Sequence, residues 1–521
     1  MLIEQVAAQK RTSGVRWWAI ASLLILVLLL IGVVVLISRW PFTREAVIDA
    51  LQESSGRIVE IQTFHKTYFP PGCVAEGVKF TQRERRDAPL IQLQKLIIES
   101  SYAGMFHFPA LINKVRVVAM HVTVPPKGPD GKRSGSIPLT AGKSKSSVRI
   151  ATLIADGAVL EVLDDSPKSK PYRIEIRRLS LHDVAGQGPF SFDVTLFNPK
   201  PPGEIHATGK FGPWNQQDPG QTPVSGSYTY ENARLGVFDG ISGTLSGAGK
   251  FEGPLHQIAT DGTTSVADFH VKHSGNTVHL TTEFHARVNG TNGDTFLEPV
   301  KAHFWRTTAL FEGGVIGKKG MNAKTVELEL SAKEGRIEDL FRLFIKAKRS
   351  PISGRVSLRG KVEVPPVHRR FLEKLRMQAD FGIDEGKFKK AGTQDAINRL
   401  SESARGETKK QEDEDPETVL SNLTGHVQVQ NGTATFSHLS FSIPGASAQF
   451  HGTYELITKK VDLHGTLTTT GRLSDTTSGF KALLVKVITP FLKKKNSAKI
   501  VPIKITGTYG NASVGLDLGA H

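Results

Sequence analysis

The sequence predicts a mainly β protein held at its N-terminal end by one membrane-spanning helix. Three observations lead there. Residues 17–38 carry no charge and are almost entirely Leu, Ile, Val and Ala. The 50 glycines and 27 prolines of the 521-residue chain fall repeatedly between short runs, the punctuation of strands and turns. Those runs alternate apolar and polar residues with a period of two, as half-buried strands do.

The apolar segment comes first. At helical rise, residues 17–38 match a hydrocarbon core of ~30 Å. Leu24, Leu28 and Val35 lie within it, and Trp17, Trp18 and Trp40 bracket it where an aromatic belt belongs. Lys10, Arg11 and Arg16 precede it, against Arg39 and Arg44 after it, which favours a cytoplasmic tail over residues 1–16. A cleaved signal peptide needs a shorter apolar region and a small-residue cleavage site, whereas Ile37, Ser38, Arg39, Trp40 and Pro41 follow here. The helix is therefore expected to remain as a single-pass anchor with the body beyond it.

Residues 39–124 read as an α+β segment. Thr43 is placed to cap a short helix with Ala46, Val47, Ala50 and Leu51 on one face and Gly56 at its end. Strands are predicted over 58–64, 74–80, 90–100 and 115–124. Residues 125–147, rich in Pro, Gly, Ser and Lys, have little to bury and read as an exposed loop.

From Val148 to residue 330 the alternation is clearest. Val278, Leu280, Thr282, Phe284, Ala286 and Val288 share one face, and His279, Glu283, His285 and Arg287 the other. Phe190, Phe192, Val194 and Leu196 repeat the pattern, as do Val326, Leu328 and Leu330. Antiparallel sheet with one solvated face follows. Asp156-Gly157, Asp239-Gly240 and Asn431-Gly432 are hairpin-type turn signals.

Residues 331–420 are interrupted by helix. Ile337, Leu340, Phe341, Phe344 and Ile345 form an apolar stripe opened by Glu338 and Asp339 and stopped before Pro351. Residues 401–418 hold many charges and no large apolar side chain, and read as a mobile loop. Residues 421–521 return to strands around an amphipathic helix at 476–495, whose stripe includes Phe480, Leu484, Val487 and Phe491.

Catalytic motifs are missing. The sequence has no His-Glu-x-x-His and no Gly-x-Ser-x-Gly, and Gly142-Lys143-Ser144 lacks the earlier glycine of a phosphate-cradling loop. His270, His273, His279 and His285 crowd one region without an acidic pattern to orient a metal. Cys73 is the single cysteine, so no intrachain disulfide forms. The reading is no enzyme and no cofactor. The net charge of +16 would suit nucleic acid, but beside a membrane anchor it reads as a solvated surface or one facing anionic lipid, with no nucleic-acid partner.

At both ends the residues resemble the AsmA-like family of Gram-negative envelopes. The N-terminal pattern is the membrane helix, the helix from Phe42 to Leu51, Tyr68-Phe69-Pro70-Pro71, Gly77-Val78-Lys79-Phe80, Lys95-Leu96-Ile97-Ile98, Met105-Phe106, and a strand ending at Pro125. The C-terminal pattern is Phe441-Ser-Ile-Pro-Gly-Ala, Gly452-Thr-Tyr-Glu-Leu, Val461-Asp-Leu-His-Gly-Thr-Leu and Val501-Pro-Ile-Lys-Ile-Thr-Gly-Thr. The resemblance implies an elongated, curved antiparallel sheet, a β-groove, anchored in the bacterial inner membrane with its body in the periplasm. It also implies that an apolar inner face guides phospholipid acyl chains between inner and outer membranes. On the residues alone, that face needs a cover, and another layer, a helix or a ligand would each serve. The expected lining is Phe192, Val194, Leu196, Val278, Leu280, Phe284, Val326, Leu328 and Leu330. The alternative is an anchored scaffold for envelope assembly that works through other envelope proteins and carries no lipid.

Overall fold

In a computed structural model the described residues are 40–81, 90–105, 110–124, 148–163, 172–184, 188–213, 218–272, 276–317, 324–345, 350–367, 369–389, 419–469, 499–508 and 511–517, with a few single positions between them. The predicted span 17–38, the predicted loop 125–147, the predicted helix 476–495 and all of the predicted mobile loop 401–418 but Ser401 lie outside them; Ser401 itself is helical and fully buried, its hydroxyl donating to the Pro444 carbonyl at 2.7 Å. Among the described residues no helix is long and apolar enough to cross a membrane. Most described residues are strand, and every pairing is antiparallel. Two compact units divide the chain: the first runs to Val122 with Ile137–Ala155 and Asp183–Gly186, and the second takes Thr123–Ser136, Asp156–His182 and Gln187–His521.

The first unit opens with α1 (Arg44–Ser55). Thr43 Oγ1 accepts from the Ala46 N–H at 3.2 Å, and Gly56 ends the helix in the left-handed region, as the capping residues predict. Its buried face differs from the predicted one: Val47 is buried with Ile48 and Leu51 half-buried, while Ala46 and Ala50 are exposed. The branched Ile48 removes more apolar surface from water than two alanines do. The predicted strand 58–64 is two strands, β1 (Ile58–Glu60) and β2 (Thr63–Tyr68), which both pair with β3 (Pro71–Thr81). The chain steps aside between them, at Ile61 and Gln62, so that each half takes its own stretch of β3. Strand β4 (Ile91–Ser100) follows, then the one-turn α2 (Tyr102–Met105) and β5 (Ala110–Val124). Cys73, Ala75, Val78, Leu93, Leu96, Ile98, Val115 and Val117 are all buried, a closed core.

Strand β6 (Val148–Val162) is divided between the units. It also overturns a predicted hairpin: Asp156-Gly157 lies inside the continuous strand, Gly157 taking φ +69° without reversing the chain. A Gly with positive φ serves an irregularity within a strand as well as a turn.

The second unit is a meander. Its next strands are β7 (Tyr172–Val184), β8 (Phe190–Pro199), β9 (Pro202–Phe211), β10 (Pro223–Arg234), β11 (Ile241–Ser242), β12 (Thr244–Pro254) and β13 (Ile258–Val271). Then come β14 (Val278–Val288), β15 (Thr295–Phe304), β16 (Thr307–Gly317), β17 (Lys324–Arg336), α3 (Ile337–Phe344), β18 (Ile352–Val364), the short α4 (Phe371–Lys374) and β19 (Arg376–Phe388). The chain closes with β20 (Ser421–Gln430), β21 (Thr433–Ile443), β22 (Ala446–Glu455), β23 (Lys460–Thr469), β24 (Lys499–Thr508) and β25 (Ser513–Leu516). From β7 each strand pairs with the next, except that β11 is bypassed: β10 pairs with β12, and β11 adds to β13. Asn431 (φ +50°) and Gly432 (φ +78°) form the two-residue hairpin their dipeptide predicts, between Gln430 and Thr433. Asp239-Gly240 instead turns within the longer connection from β10 to β12.

Candidate functional site

Because side chains alternate, register fixes which residues of neighbouring strands share a face. One row of register partners crosses the second unit from β7 to β25, omitting only β11. It reads Leu179, Val194, Ala207, Tyr228, Gly249, Gly262, Phe284, Val300, Phe311, Leu330, Gly360, Ala379, Val427, Phe436, Gly452, Leu463, Ile505 and Val514. No member is charged, and the only polar group is the Tyr228 hydroxyl, which lies 3.4 Å from Thr260 Oγ1. Burial pushes the Tyr228 phenol above its usual range. A parallel row runs through Phe192, Gly209, Gly226, Phe251, Thr260, Ala286, Leu297, Gly313, Leu328, Val362, Met377 and Val429.

Phenylalanine faces glycine across strands along both rows. A Cβ on Gly262 would stand 2.8 Å from Phe284 Cζ, and beside the rows one on Gly425, the register partner of Phe381, only 2.6 Å from that ring's Cζ. The rings lie over bare backbone and stay low on the sheet. With no side chain on Gly209 or Gly226 between them, the rings of Phe192 and Phe251 stack with centroids 6.4 Å apart across two intervening strands.

The opposite face is wet and internally neutralised. Lys361 Nζ is 2.6 Å from Glu329, Arg376 is 3.3 Å from Glu363, and Lys301 is 3.7 Å from Glu283. The ammonium of Lys361 holds the Glu329 carboxyl below its usual range. Shallow depressions there are lined by these same pairs, with Thr263, Ser265 and His303 in one and Gln378 in the other. Solvent screens exposed pairs of this kind, so they mark the solvent face rather than hold the fold. His279 bonds to Ser265 at 2.8 Å and His285 to Asp261, partners on the neighbouring strand. Among the described residues no three His, Cys, Asp or Glu side chains gather as a metal-holding group.

Of the predicted lining, Phe192, Val194, Leu196, Leu280, Phe284, Val326, Leu328 and Leu330 are half-buried on the apolar face. Val278, 3% exposed, is closed off: it packs with Phe304, Ala309, Ala332 and Leu343 beneath α3. Phe480, Leu484, Val487 and Phe491, like Trp17, Trp18, Leu24, Leu28 and Val35, lie outside the described residues. Trp40 is buried among Phe42, Tyr68 and Tyr102.

Helix α3 covers one edge of the face. Ile337 and Leu343 point inward with Leu340 half-buried between them, whereas Phe344 of the predicted stripe is 59% exposed. The stripe has turned because Asp339 is buried as well, where its Oδ2 accepts from the Arg306 N–H at 3.0 Å and the Thr307 hydroxyl at 2.9 Å. At the other end Asn276 Nδ2 donates to the carbonyls of Arg342 and Ile345, both at 2.9 Å, satisfying groups a helix end leaves open. Arg342 lies 4.2 Å over the Trp305 ring.

A second closure joins distant parts of the unit. Lys374 Nζ, at the end of α4, donates to Asp239 Oδ2 at 2.6 Å, and the Phe371 ring lies against Gly240. The connection between β18 and β19 thus meets the connection between β10 and β12, which requires the sheet of this unit to bend around between them. The Lys374 ammonium lowers the Asp239 carboxyl. A helix as cover was among the expectations; the polar contacts that seat α3 and the Lys374–Asp239 closure were not, since they join residues 30 or more positions apart and leave no periodic trace in a sequence.

No protein-family model, no curated protein sequence and no solved structure matches this chain.

Proposed function

We propose that the second unit holds phospholipid acyl chains along its apolar face, and that the chain is an AsmA-like envelope protein anchored in the bacterial inner membrane by residues 17–38. The observation that carries this reading is the uncharged row from Leu179 to Val514, along which Leu179, Val194, Tyr228, Phe284, Val300, Phe311, Leu330, Phe436, Ile505 and Val514 stay half-buried. Apolar surface left beside water costs roughly 25 cal/mol per Å², and an acyl chain removes it without requiring a polar partner. The low rings over glycine leave space above the sheet. In this reading the chain carries out no chemistry and needs no cofactor: it guides lipid through the periplasm along an elongated, curved sheet, with its N-terminus in the cytoplasm.

The test places a photoreactive benzoylphenylalanine at Phe284 or Leu328 of the full chain, in cells grown with radiolabelled phosphate, with Thr281 on the polar face as control. Crosslinked phospholipid at 284 and 328 and none at 281 is expected. Loss of signal at all three positions, in a chain still found at the membrane, abandons lipid carriage. Crosslinks to a protein at 284 or 328 instead would support the scaffold reading.

A further inference from the structure

The first unit has its own exposed apolar patch, and it sits where residues 17–38 join the fold. Among its described residues the exposed large hydrophobic side chains are Tyr68 (36%), Phe69 (88%) and Leu111 (37%). Tyr102 gathers them: its hydroxyl donates to the Tyr68 carbonyl at 2.7 Å, its ring lies 6.0 Å from that of Phe69, and Leu111 lies against Gly104 of the same turn. Trp40 completes the cluster, its ring 4.8 Å from Tyr68 and 6.5 Å from Tyr102. Only Arg39 separates Trp40 from the end of the uncharged segment at Ser38.

Phe69 stands at the tip of the two-residue turn between β2 and β3, with Tyr68 paired to Pro71. A nearly bare phenylalanine at a loop tip is costly in water, and grouped exposed apolar side chains mark interaction sites. Rings with a polar tip, such as Tyr68 and Tyr102, favour the level of lipid headgroups. Lys66, exposed on the same hairpin, suits the phosphates there. The occupant follows from chain length: a residue two positions beyond a bilayer-spanning helix lies within a few ångströms of the bilayer surface.

We infer that the patch formed by Phe69, Tyr68, Tyr102 and Leu111 is a membrane-docking surface, with Phe69 inserted at the headgroup level of the leaflet from which residues 17–38 emerge. The surface fixes how the first unit stands on the bilayer, where a helix alone would leave it free to pivot. This inference rests on residues 17–38 being the anchor.

The full chain, carrying Phe69→Cys or, as control, Ala50→Cys on the exposed side of α1, is reconstituted into phosphatidylethanolamine and phosphatidylglycerol vesicles and labelled with a nitroxide. Cys73 does not interfere, being fully buried with its thiol pushed up to about 12. Collision with oxygen several-fold above that with a water-soluble nickel chelate is expected at 69, and the reverse at 50. Equal, water-like values at both positions, in protein that floats with the vesicles, overturn the docking surface while leaving the anchor standing. Protein that does not float overturns both.

Discussion

In the first unit, β3 and β4 turn Cys73, Ala75, Val78, Leu93, Leu96 and Ile98 into a closed interior. In the second, β14 and β17 present Leu280, Phe284, Val326, Leu328 and Leu330 in the same alternating way, and all of them stay half-exposed. The strands do not differ in kind; the cover does. Strands β13 to β18 alone make a face about 24 Å wide at ~4.8 Å per strand, and the eight residues of α3 give a cover about 12 Å long. Helix α3 closes the edge at Val278, Phe304 and Ala332 and leaves the rest of the face without it. The second unit is closed in patches, beneath α3, around Ala379, Val427 and Val429 and around Leu467, Val501 and Ile503, while Leu280, Phe284, Val326, Leu328 and Leu330 stay half-exposed.

Thiol reactivity is the sharpest way to break this comparison. At pH 8 the Cys73 thiol, raised to about 12 by burial, is scarcely ionised, whereas a cysteine near its ordinary value of about 8.5 is substantially thiolate. In the delipidated Leu328→Cys variant, reagent should modify residue 328 on the order of a thousandfold faster than Cys73. Added phospholipid should slow the reaction at 328 alone. Equal rates in the absence of lipid would mean that the second unit is as closed as the first.

Truncation gives the next largest difference. Leu96→Ala empties a packed site and should cost about 2–5 kcal/mol in urea unfolding, while Leu330→Ala on the half-covered face should cost less than half as much. Matching losses would place both residues in dry cores. Asp339→Ala strands the Arg306 N–H and the Thr307 hydroxyl and should cost about 1–3 kcal/mol, with faster amide exchange in α3 as its signature. Gly262→Ala drives a Cβ against the Ala248 carbonyl oxygen and to 2.8 Å from Phe284 Cζ, and overpacking of this kind costs about 1–3 kcal/mol. An unchanged stability would show that backbone and ring both give way freely.

The smallest effect is a pH dependence. Lys374 holds the folded-state carboxyl of Asp239 below its unfolded value, so the contact stabilises the fold above ordinary carboxylate pKa values. That stability is lost as pH falls through the folded value. Asp239→Asn should flatten the acid limb of the stability curve by comparison with the parent chain, and superimposable curves from pH 6 to pH 3 would remove the latch from the fold.

Much of the architecture was legible because alternation is a local signal. The faces of β8, β14 and β17, the Thr43 and Gly56 caps of α1 and the Asn431-Gly432 hairpin each follow from residues a few positions apart. Where local signals misled, a longer-range demand prevailed. Asp156-Gly157 was absorbed into a strand, and the stripe of α3 turned from Phe344 to Leu343 because Asp339 had to reach Arg306 and Thr307 across the sheet. The glycines opposite Phe284 and Phe381 were visible as residues, but their purpose depends on register, which no single strand contains.

The sequence by itself determined that this chain is mainly β and which side chains each strand sends to its apolar face, because a period of two is written residue by residue. The tertiary structure decided how far that face is covered. Cover depends on the size of α3, on the Asn276 and Asp339 contacts that seat it, and on the meeting of Lys374 with Asp239. Those are encounters between residues distant in the chain, and they exist only once the sheet has bent to bring them together.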